Sequence, residues 1–430
     1  MTPEPRWGAT PAHLRAVVGG LLLAAIAVVA QRPDLAVMAA PLLAAAALGG
    51  LRRPSAPPRA ELRVDAATMV EGQATTVHVT VDDLTSGELP DGVVAAAVTG
   101  DPWVQFDPPG AARAVPVQQP STDMAVVMRA VRWGRHEVRA DAVRVTSPGG
   151  AFRISLIPTP IVVTALPLAD TFAAADALPR PAGLVGLHRS RRHGEGTELA
   201  EVRPFRTGDR LRRINWPVSS RTGTLHVTAA WSDRDTEVVL LLDTEHDLGI
   251  SGGVDGRASS LDVAVRAAAA IAEHYLIAGD RVALTDIGQR VRTVPVGSGR
   301  QHLRRVLDVL VASAPGAIRS EEVRRLGHIR AGSLVVALSP LLGGAGLAQI
   351  AQLVRHRHAV VVIDTLPAHA VEEAEPWRAL AWRVRLLERS VEIDRLAALG
   401  VPVVPWRGRG TLDDVLRVLS RVAVAPRLIR

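Results

Sequence analysis

The sequence predicts a multi-domain chain: a two-helix transmembrane hairpin, then a β-sandwich, then a doubly wound α/β domain with a mostly parallel sheet. Three observations predict it. Two apolar runs of about 17 residues stand near the N-terminus, each close to the shortest helix that crosses a hydrocarbon core at about 1.5 Å per residue. A stretch bounded by prolines then alternates β-branched with polar residues. Beyond Thr236, continuous apolar strands alternate with segments of helical period.

The hairpin comes first. Residues 14–30 read LRAVVGGLLLAAIAVVA and residues 35–51 read LAVMAAPLLAAAALGGL, so helices are expected over about 12–31 and 35–51. The intervening QRPD, with Pro33 and Asp34, is expected to form the turn. Arg6 and Arg15 precede the hairpin and Arg52, Arg53 and Arg59 follow it, whereas the turn holds only Arg32, offset by Asp34. The excess of arginine on the flanks places both ends, and all soluble domains, on the cytoplasmic side of the inner (plasma) membrane. A cleaved secretory signal ending near Ala30 is the alternative, but the second apolar run argues against it.

RRPSAPPRA, residues 52–60, is a stiff proline-rich linker that closes a first segment, 1–59. The sandwich follows over 60–168, where TTVHVTV, MAVVMRAVRWGRHEVRADAVRVT and TPIVVTALP alternate between Gly, Pro and Asp punctuation. His136 in WGRHEV reads as a surface or packing residue, and no chemistry is assigned to this domain.

The last segment, 236–430, begins with EVVLLLD, an apolar run ending in a carboxylate and suited to a central strand buried on both faces. SSLDVAVRAAAAIAEHYLIAGD carries an N-cap serine, Ser259, and closes at Gly279. Further strands, RVALTDIG, SLVVALSP, HAVVVIDTLP and VPVVPW, alternate with helices near RQHLRRVLDVLVASA, LAQIAQLVRHR and TLDDVLRVLSRVA. Ligands of such sheets bind at the carboxyl ends of the strands. The first place to look is therefore Asp243-Thr244-Glu245-His246-Asp247.

Here the chain resembles the von Willebrand factor A fold. That resemblance implies an Asp-x-Ser-x-Ser loop in metal-binding members, with a Thr and a second Asp from later loops completing a magnesium site. Asp243 matches, but Glu245 and Asp247 stand at the serines and Ser339 stands where the second aspartate belongs. Asp243, Glu245 and Asp247 are thus expected to be a degenerate remnant, with neither metal nor cofactor bound.

Composition narrows the chemistry further. All 50 basic residues are arginine and there is no cysteine, which removes lysine Schiff bases, phosphate-loop lysines, thiol nucleophiles and disulfides. The net charge of +7 is spread along the chain, so no nucleic-acid partner is expected. In a chain of 430 residues, two to four units of ordinary size are expected.

Residues 169–235 are expected to be a linker, and it is densely charged. Between Gly194 and Val227 it holds six arginines, three glutamates, one aspartate and one tryptophan. The order Gly194, Gly196, Thr197, Glu198, Arg203, Gly208, Asp209, Arg213, Ile214, Trp216, Arg221 resembles the signature of the bacterial family called domain of unknown function 58. SPGGAFR near Ser147 is similar to a turn of that family, while Leu199, Pro217 and Val218 depart from its usual residues. The resemblance implies a membrane protein encoded beside MoxR-type AAA+ ATPases and acting with them as an adaptor.

Read as chemistry, alternating Glu, Arg and Asp suit a closed ion-pair network. Glu198, Arg203, Asp209 and Arg213 are expected to hold this segment against the α/β domain, with Trp216 as an apolar anchor. No nucleophile with an evident base stands out: Ser219 and Ser220 lie near His226, and Ser190 near His193, only in sequence. No catalytic residue is assigned and the chain is read as a non-enzyme. The leading function is a membrane-anchored interaction protein. The alternatives are a metal-dependent ligand-binding module and a membrane-bound hydrolase.

Overall fold

The computed structural model describes residues 5–51, 53–84, 92–110, 112–168, 190–205, 214–232, 237–288, 291–316, 329–330, 333–356, 358–367, 369 and 375–407. The chain forms two compact units, Met1–Leu166 and Pro167–Arg430.

The first unit opens with β1 (Gly8–Ala9), α1 (Pro11–Val29) and α2 (Pro33–Leu51). Thr10 caps α1, its Oγ1 accepting the His13 N–H at 3.2 Å. The turn is tighter than the sequence suggests: Pro33 begins α2 instead of lying in the turn, because its fixed φ suits a first helical position, and Gln31 takes the left-handed conformation. The helices meet along small residues. Ala27, Ala39 and Ala46 are buried, and a Cβ on Gly20 would lie 2.9 Å from Leu43 Cγ. The larger side chains, Val18, Leu22, Val29, Val37 and Leu48 among them, point outward and are exposed. This is how helices associate where no hydrophobic force drives them together. Both helices, of mean hydropathy 2.1 and 1.8, are long and apolar enough to cross a membrane.

Two sheets of the same unit enclose one core. The four-stranded sheet runs β2 (Arg59–Val64), β4 (Ala74–Asp82), β8 (Thr122–Ala130), β6 (Val104–Asp107). The seven-stranded sheet is built on the long β9 (Gly134–Thr146), which pairs with β5 (Val93–Gly100), β10 (Phe152–Leu156) and β11 (Ile161–Leu166); β1, β3 (Thr68–Val70) and β7 (Ala112–Pro116) complete it. Alternation selects the core: Met124, Val126 and Met128 of β8 point inward between exposed neighbours. In β9 the register against β5 shifts between Ala97 and Val98. The extra residue lets both Ala140 and Val143 face inward, and Asp141 accepts the Thr99 hydroxyl at 2.8 Å.

In the second unit, the described part of the segment expected as a linker contains a two-stranded ribbon. β12 (Ser190–Pro204) pairs antiparallel with β13 (His226–Ser232), with register shifts between Ser190 and His193, between Gly194 and Leu199 and between Leu199 and Glu201; α3 (Trp216–Thr222) precedes β13. Alternating Thr, Val and His in TLHVTAAW suit a strand, and charge and glycine do not forbid one.

The main sheet runs β16 (Val291–Gly297), β15 (Arg281–Ile287), β14 (Glu237–Leu242), β17 (Leu334–Ser339), β18 (Ala359–Asp364), β19 (Val403–Pro405). All neighbours are parallel except β16, which is an antiparallel edge. Strands β14 and β17 are buried on both faces. Helix α4 (Ser260–Ile277) packs on β14, β15 and β17, and α5 (Arg300–Val311) on β15 and β16. Helices α6 (Gly344–Arg355) and α7 (Pro376–Ala398) cover a core that includes Val239, Leu241, Val335, Ala337, Val360 and Val362. Ser259 and Asp262 form a reciprocal capping box on α4, which ends at Gly279 with φ +92°. The helix expected near TLDDVLRVLSRVA lies outside the described residues.

Candidate functional site

The chain leaves β14 for β15 in one direction and β17 for β18 in the other, so the order reverses between β14 and β17. That reversal opens the crevice where sheets of this kind receive ligands. Four adjacent parallel strands carry polar residues there or beside it: Asp286 in β15, one residue before its end, Asp243 just after β14, and Ser339 and Asp364 at the ends of β17 and β18.

The chain's own groups occupy each of these ends. Asp243 is 5% exposed, and its Oδ2 receives the Ser339 hydroxyl at 2.6 Å while its Oδ1 receives the Glu245 N–H at 3.1 Å. Burial pushes the Asp243 carboxyl above the ordinary carboxylate range, although both donors pull the other way. Ser339 Oγ accepts the N–H of Leu341, a residue in the left-handed conformation. Asp286, 1% exposed, receives the hydroxyls of Thr244 and Ser313, each at 2.7 Å, with Arg292 at 3.9 Å. Burial raises it as well. Asp364 takes Arg389 Nη2 at 2.5 Å, and Arg389 Nε donates to Pro340 O at 2.9 Å.

Backbone closes over the crevice. A Cβ on Gly346 would lie 2.4 Å from Asp243 Oδ2, and one on Gly343 would lie 2.3 Å from Glu245 Oε2. The N-terminus of α6, with its partial positive charge, therefore sits against the two carboxylates. Asp247 turns away to α4, where its Oδ1 accepts the Leu261 N–H at 3.0 Å.

This arrangement does not suit a divalent ion. Asp243 spends both oxygens on internal donors, Asp247 serves α4, and no three His, Asp or Glu side chains converge to hold a metal among the described residues. Sequence reasoning singled out Asp243, Glu245, Asp247 and Ser339, and the structure joins Asp243 to Ser339. It does not single out Asp286 or Asp364: Asp364 shares with Asp243 the signal of a carboxylate ending an apolar run, whereas Asp286 stands between Thr285 and Ile287 and carries no such signal.

The charged ribbon is only partly described. Gly208, Asp209 and Arg213 lie outside the described residues, as do the side chains of Thr197 and Glu198, whose backbone runs in β12 with that of Gly196. Arg203 is half-buried and donates to Pro204 O at 3.1 Å. Arg221 lies exposed in the last turn of α3, and Ile214 bridges to Val227. Trp216 does not serve as the expected apolar anchor. It begins α3 and is 65% exposed, because the helix fastens through polar groups instead. Asn215 caps α3 by accepting the Val218 N–H at 3.2 Å and donates to Thr228 Oγ1 at 3.2 Å. Ser219, buried, donates to Asn215 O at 2.7 Å and accepts the His226 N–H at 2.9 Å, while Ser220 donates back to Trp216 O. The His226 ring faces Thr224 O and Thr222 Oγ1, so it does not address Ser219 as a base would.

Residues 201–371 match the family model described as Protein of unknown function DUF58. The matched region thus begins in the charged ribbon and takes in the strand-end crevice. Uncharacterized proteins of Mycobacterium tuberculosis and Mycobacterium bovis are 30% identical over 186 residues, 42% of this chain and 58% of theirs. The chain therefore spans somewhat over half the length of these curated relatives. Among solved structures, a type II cohesin domain from the cellulosome of Acetivibrio cellulolyticus is 10% identical with a TM-score of 0.20, covering 25% of this chain and 95% of that one. A cohesin module from a Clostridium perfringens family 33 glycoside hydrolase is 9% identical with a TM-score of 0.20, covering 25% and 98%. Likeness this slight carries no functional argument.

In the first unit, the SPGGAF turn has a definite role. Pro148–Gly150 form a 3-10 turn in which Gly149 and Gly150 take positive φ, and Ser147 Oγ accepts the Phe152 N–H at 2.9 Å. The two apolar helices rest on it. Thr10 donates its hydroxyl to Gly150 O at 2.5 Å and its N–H to Ala151 O at 2.9 Å; His13 stacks on Phe152 at 5.5 Å; Gly49 is so close to Ala151 that a Cβ would meet it at 2.7 Å. His136, buried between Asp101 and the Arg132 carbonyl at 2.8 Å each, is a packing residue.

Proposed function

We propose that the chain is a membrane-anchored, non-catalytic interaction protein that works with a MoxR-type AAA+ ATPase in protein assembly, maturation or envelope stress. One observation carries this reading: at the switch point of the sheet, where a ligand would sit, Asp243, Ser339, Asp286 and Asp364 are each engaged by the chain's own donors. A crevice closed in this way leaves the outer surface to carry specificity. The antiparallel edge strand beside a parallel sheet supports a von Willebrand factor A-like fold that has given up metal binding. Two apolar helices with outward-facing large side chains support anchorage in the inner membrane, with the soluble domains cytoplasmic.

The test is purification of the full chain from native membranes in mild detergent, with and without a non-hydrolysable ATP analogue. A hexameric AAA+ ATPase is expected to co-elute in a nucleotide-dependent manner. Elution of the chain free of any ATPase under both conditions overturns the reading, as does turnover of an ester or peptide substrate by the purified chain.

A further inference from the structure

Helix α7 carries apolar residues on two opposite sides. Its inner side is fixed to the sheet: Leu396 is 4% exposed, Ile393 packs on the core, and Arg389 reaches Pro340 O and Asp364. Its outer side presents Trp377, Leu380, Val384, Leu387 and Val391, which are 64%, 62%, 51%, 68% and 48% exposed. Their spacing alternates three and four residues, the a and d positions of two heptads. Among the described residues nothing covers this second apolar line, which leaves a surface for a partner.

We infer that this outer line is a seam for a second copy of the chain, with the two α7 helices parallel. The flanking charges point to this occupant. With Trp377, Val384 and Val391 at a, Arg383 falls at g and Glu388 at e, five residues later. In a parallel pair, g of one helix faces the following e of the other, so Arg383 meets Glu388 twice across the two-fold axis. Both residues are exposed, and Glu388, which already takes Arg385 of its own helix at 2.8 Å on one oxygen, keeps its other oxygen for the partner's arginine. Ser390 and Arg395, the next g and e, bring no repulsion. A strict a/d line is also narrower than the broad apolar face with which a helix lies on lipid, and Asp394 ends it at the next d position. The seam spans about 21 Å at about 1.5 Å per residue, and the helix is already formed by its inner contacts, so pairing does not bear the cost of nucleation. Two heptads make a small interface. Pairing is therefore weak in dilute solution and favoured where copies are concentrated together.

The cysteine-free chain gives a direct test. Val384→Cys, an a position, is placed in the full chain and reconstituted in lipid vesicles, with Ser220→Cys on exposed α3 as control; both are oxidised mildly. Val384→Cys is expected to form a disulfide-linked dimer and Ser220→Cys to remain monomeric. Adding Arg383→Glu lowers the cross-linked fraction about fivefold through like-charge contact, and Arg383→Glu with Glu388→Arg restores it. Folding is checked by unchanged far-ultraviolet circular dichroism. A monomeric Val384→Cys overturns the proposal. So does a cross-link indifferent to Arg383→Glu, or one that the double reversal fails to restore, as pairing with a lipid surface or an unrelated protein predicts.

Discussion

Ser339 donates its hydroxyl to Asp243 at 2.6 Å, joining two adjacent parallel strands at the point where the order of the sheet reverses. The two residues are 96 positions apart, yet between them they close the crevice of the second unit. Where a divalent ion would compensate the carboxylate, this chain uses a hydroxyl, a backbone N–H and the N-terminus of α6.

Stability is expected to carry the mark of that burial. Asp243 and Asp286 are both raised, so their contribution is fully present below the unfolded carboxylate range and is lost as pH rises through the folded values. Asp243→Asn removes one of these groups. In denaturant titrations from acid to neutral pH, its loss of stability with rising pH should be smaller than that of the parent chain. Ser339→Ala should act oppositely, costing about 1–3 kcal/mol at neutral pH because a buried carboxylate loses a donor. Parallel pH profiles for all three proteins would contradict the burial argument.

Close approach gives a second expectation. At Gly346 an added Cβ meets Asp243 Oδ2 at 2.4 Å, and that oxygen is held by Ser339. Gly346→Ala must displace the carboxylate or the first turn of α6, at a cost of about 1–3 kcal/mol. Gly344→Ala, two residues earlier and with open space around it, should be nearly neutral. The pair is read by thermal melting, and equal midpoints would show that the contact yields freely.

How much of this was legible in the sequence depends on where each signal resides. The two apolar helices, the sandwich strands and the central strands announce themselves through local period and apolar content. Asp243 was found because it ends an apolar run. The ribbon was read as a linker because arginine and glycine obscured the alternation around His226. Helix α7 was passed over for the opposite reason: apolar residues on two faces leave no single stripe to recognise. The Thr10 to Gly150 bond spans 140 residues, and no local pattern encodes such a contact.

Magnesium should have no effect on the fold. Asp243 and Asp247, two of the three carboxylates that stand in the loop, already accept hydrogen bonds from the chain, so a cation would have to break those bonds in order to bind. Melting midpoints in magnesium and in chelator are expected to coincide. A rise with magnesium that Asp243→Asn abolishes would restore the metal-dependent reading.

The base of the two apolar helices is joined to the sandwich through Thr10. Thr10 does two things with one hydroxyl: it accepts the His13 N–H at the start of α1 and donates to Gly150 O in the turn between β9 and β10. Thr10→Val keeps the shape and removes both bonds, losing the cap, worth about 1 kcal/mol, and leaving the Gly150 carbonyl without that donor. The sandwich core does not include Thr10, so its melting should change little. The helices instead should loosen at their base, which opens the backbone at Arg15, whose side chain is already exposed, to a protease. Because every basic residue is arginine, trypsin reports the event directly. In detergent micelles, cleavage after Arg15 should accelerate about fivefold in Thr10→Val, as a loss near 1 kcal/mol in local opening requires. Thr10→Ser, which retains the hydroxyl, should cleave at the parent rate. If valine and serine behave alike, the hydroxyl is not what seats the anchor, and the stacking of His13 on Phe152 becomes the contact to remove next.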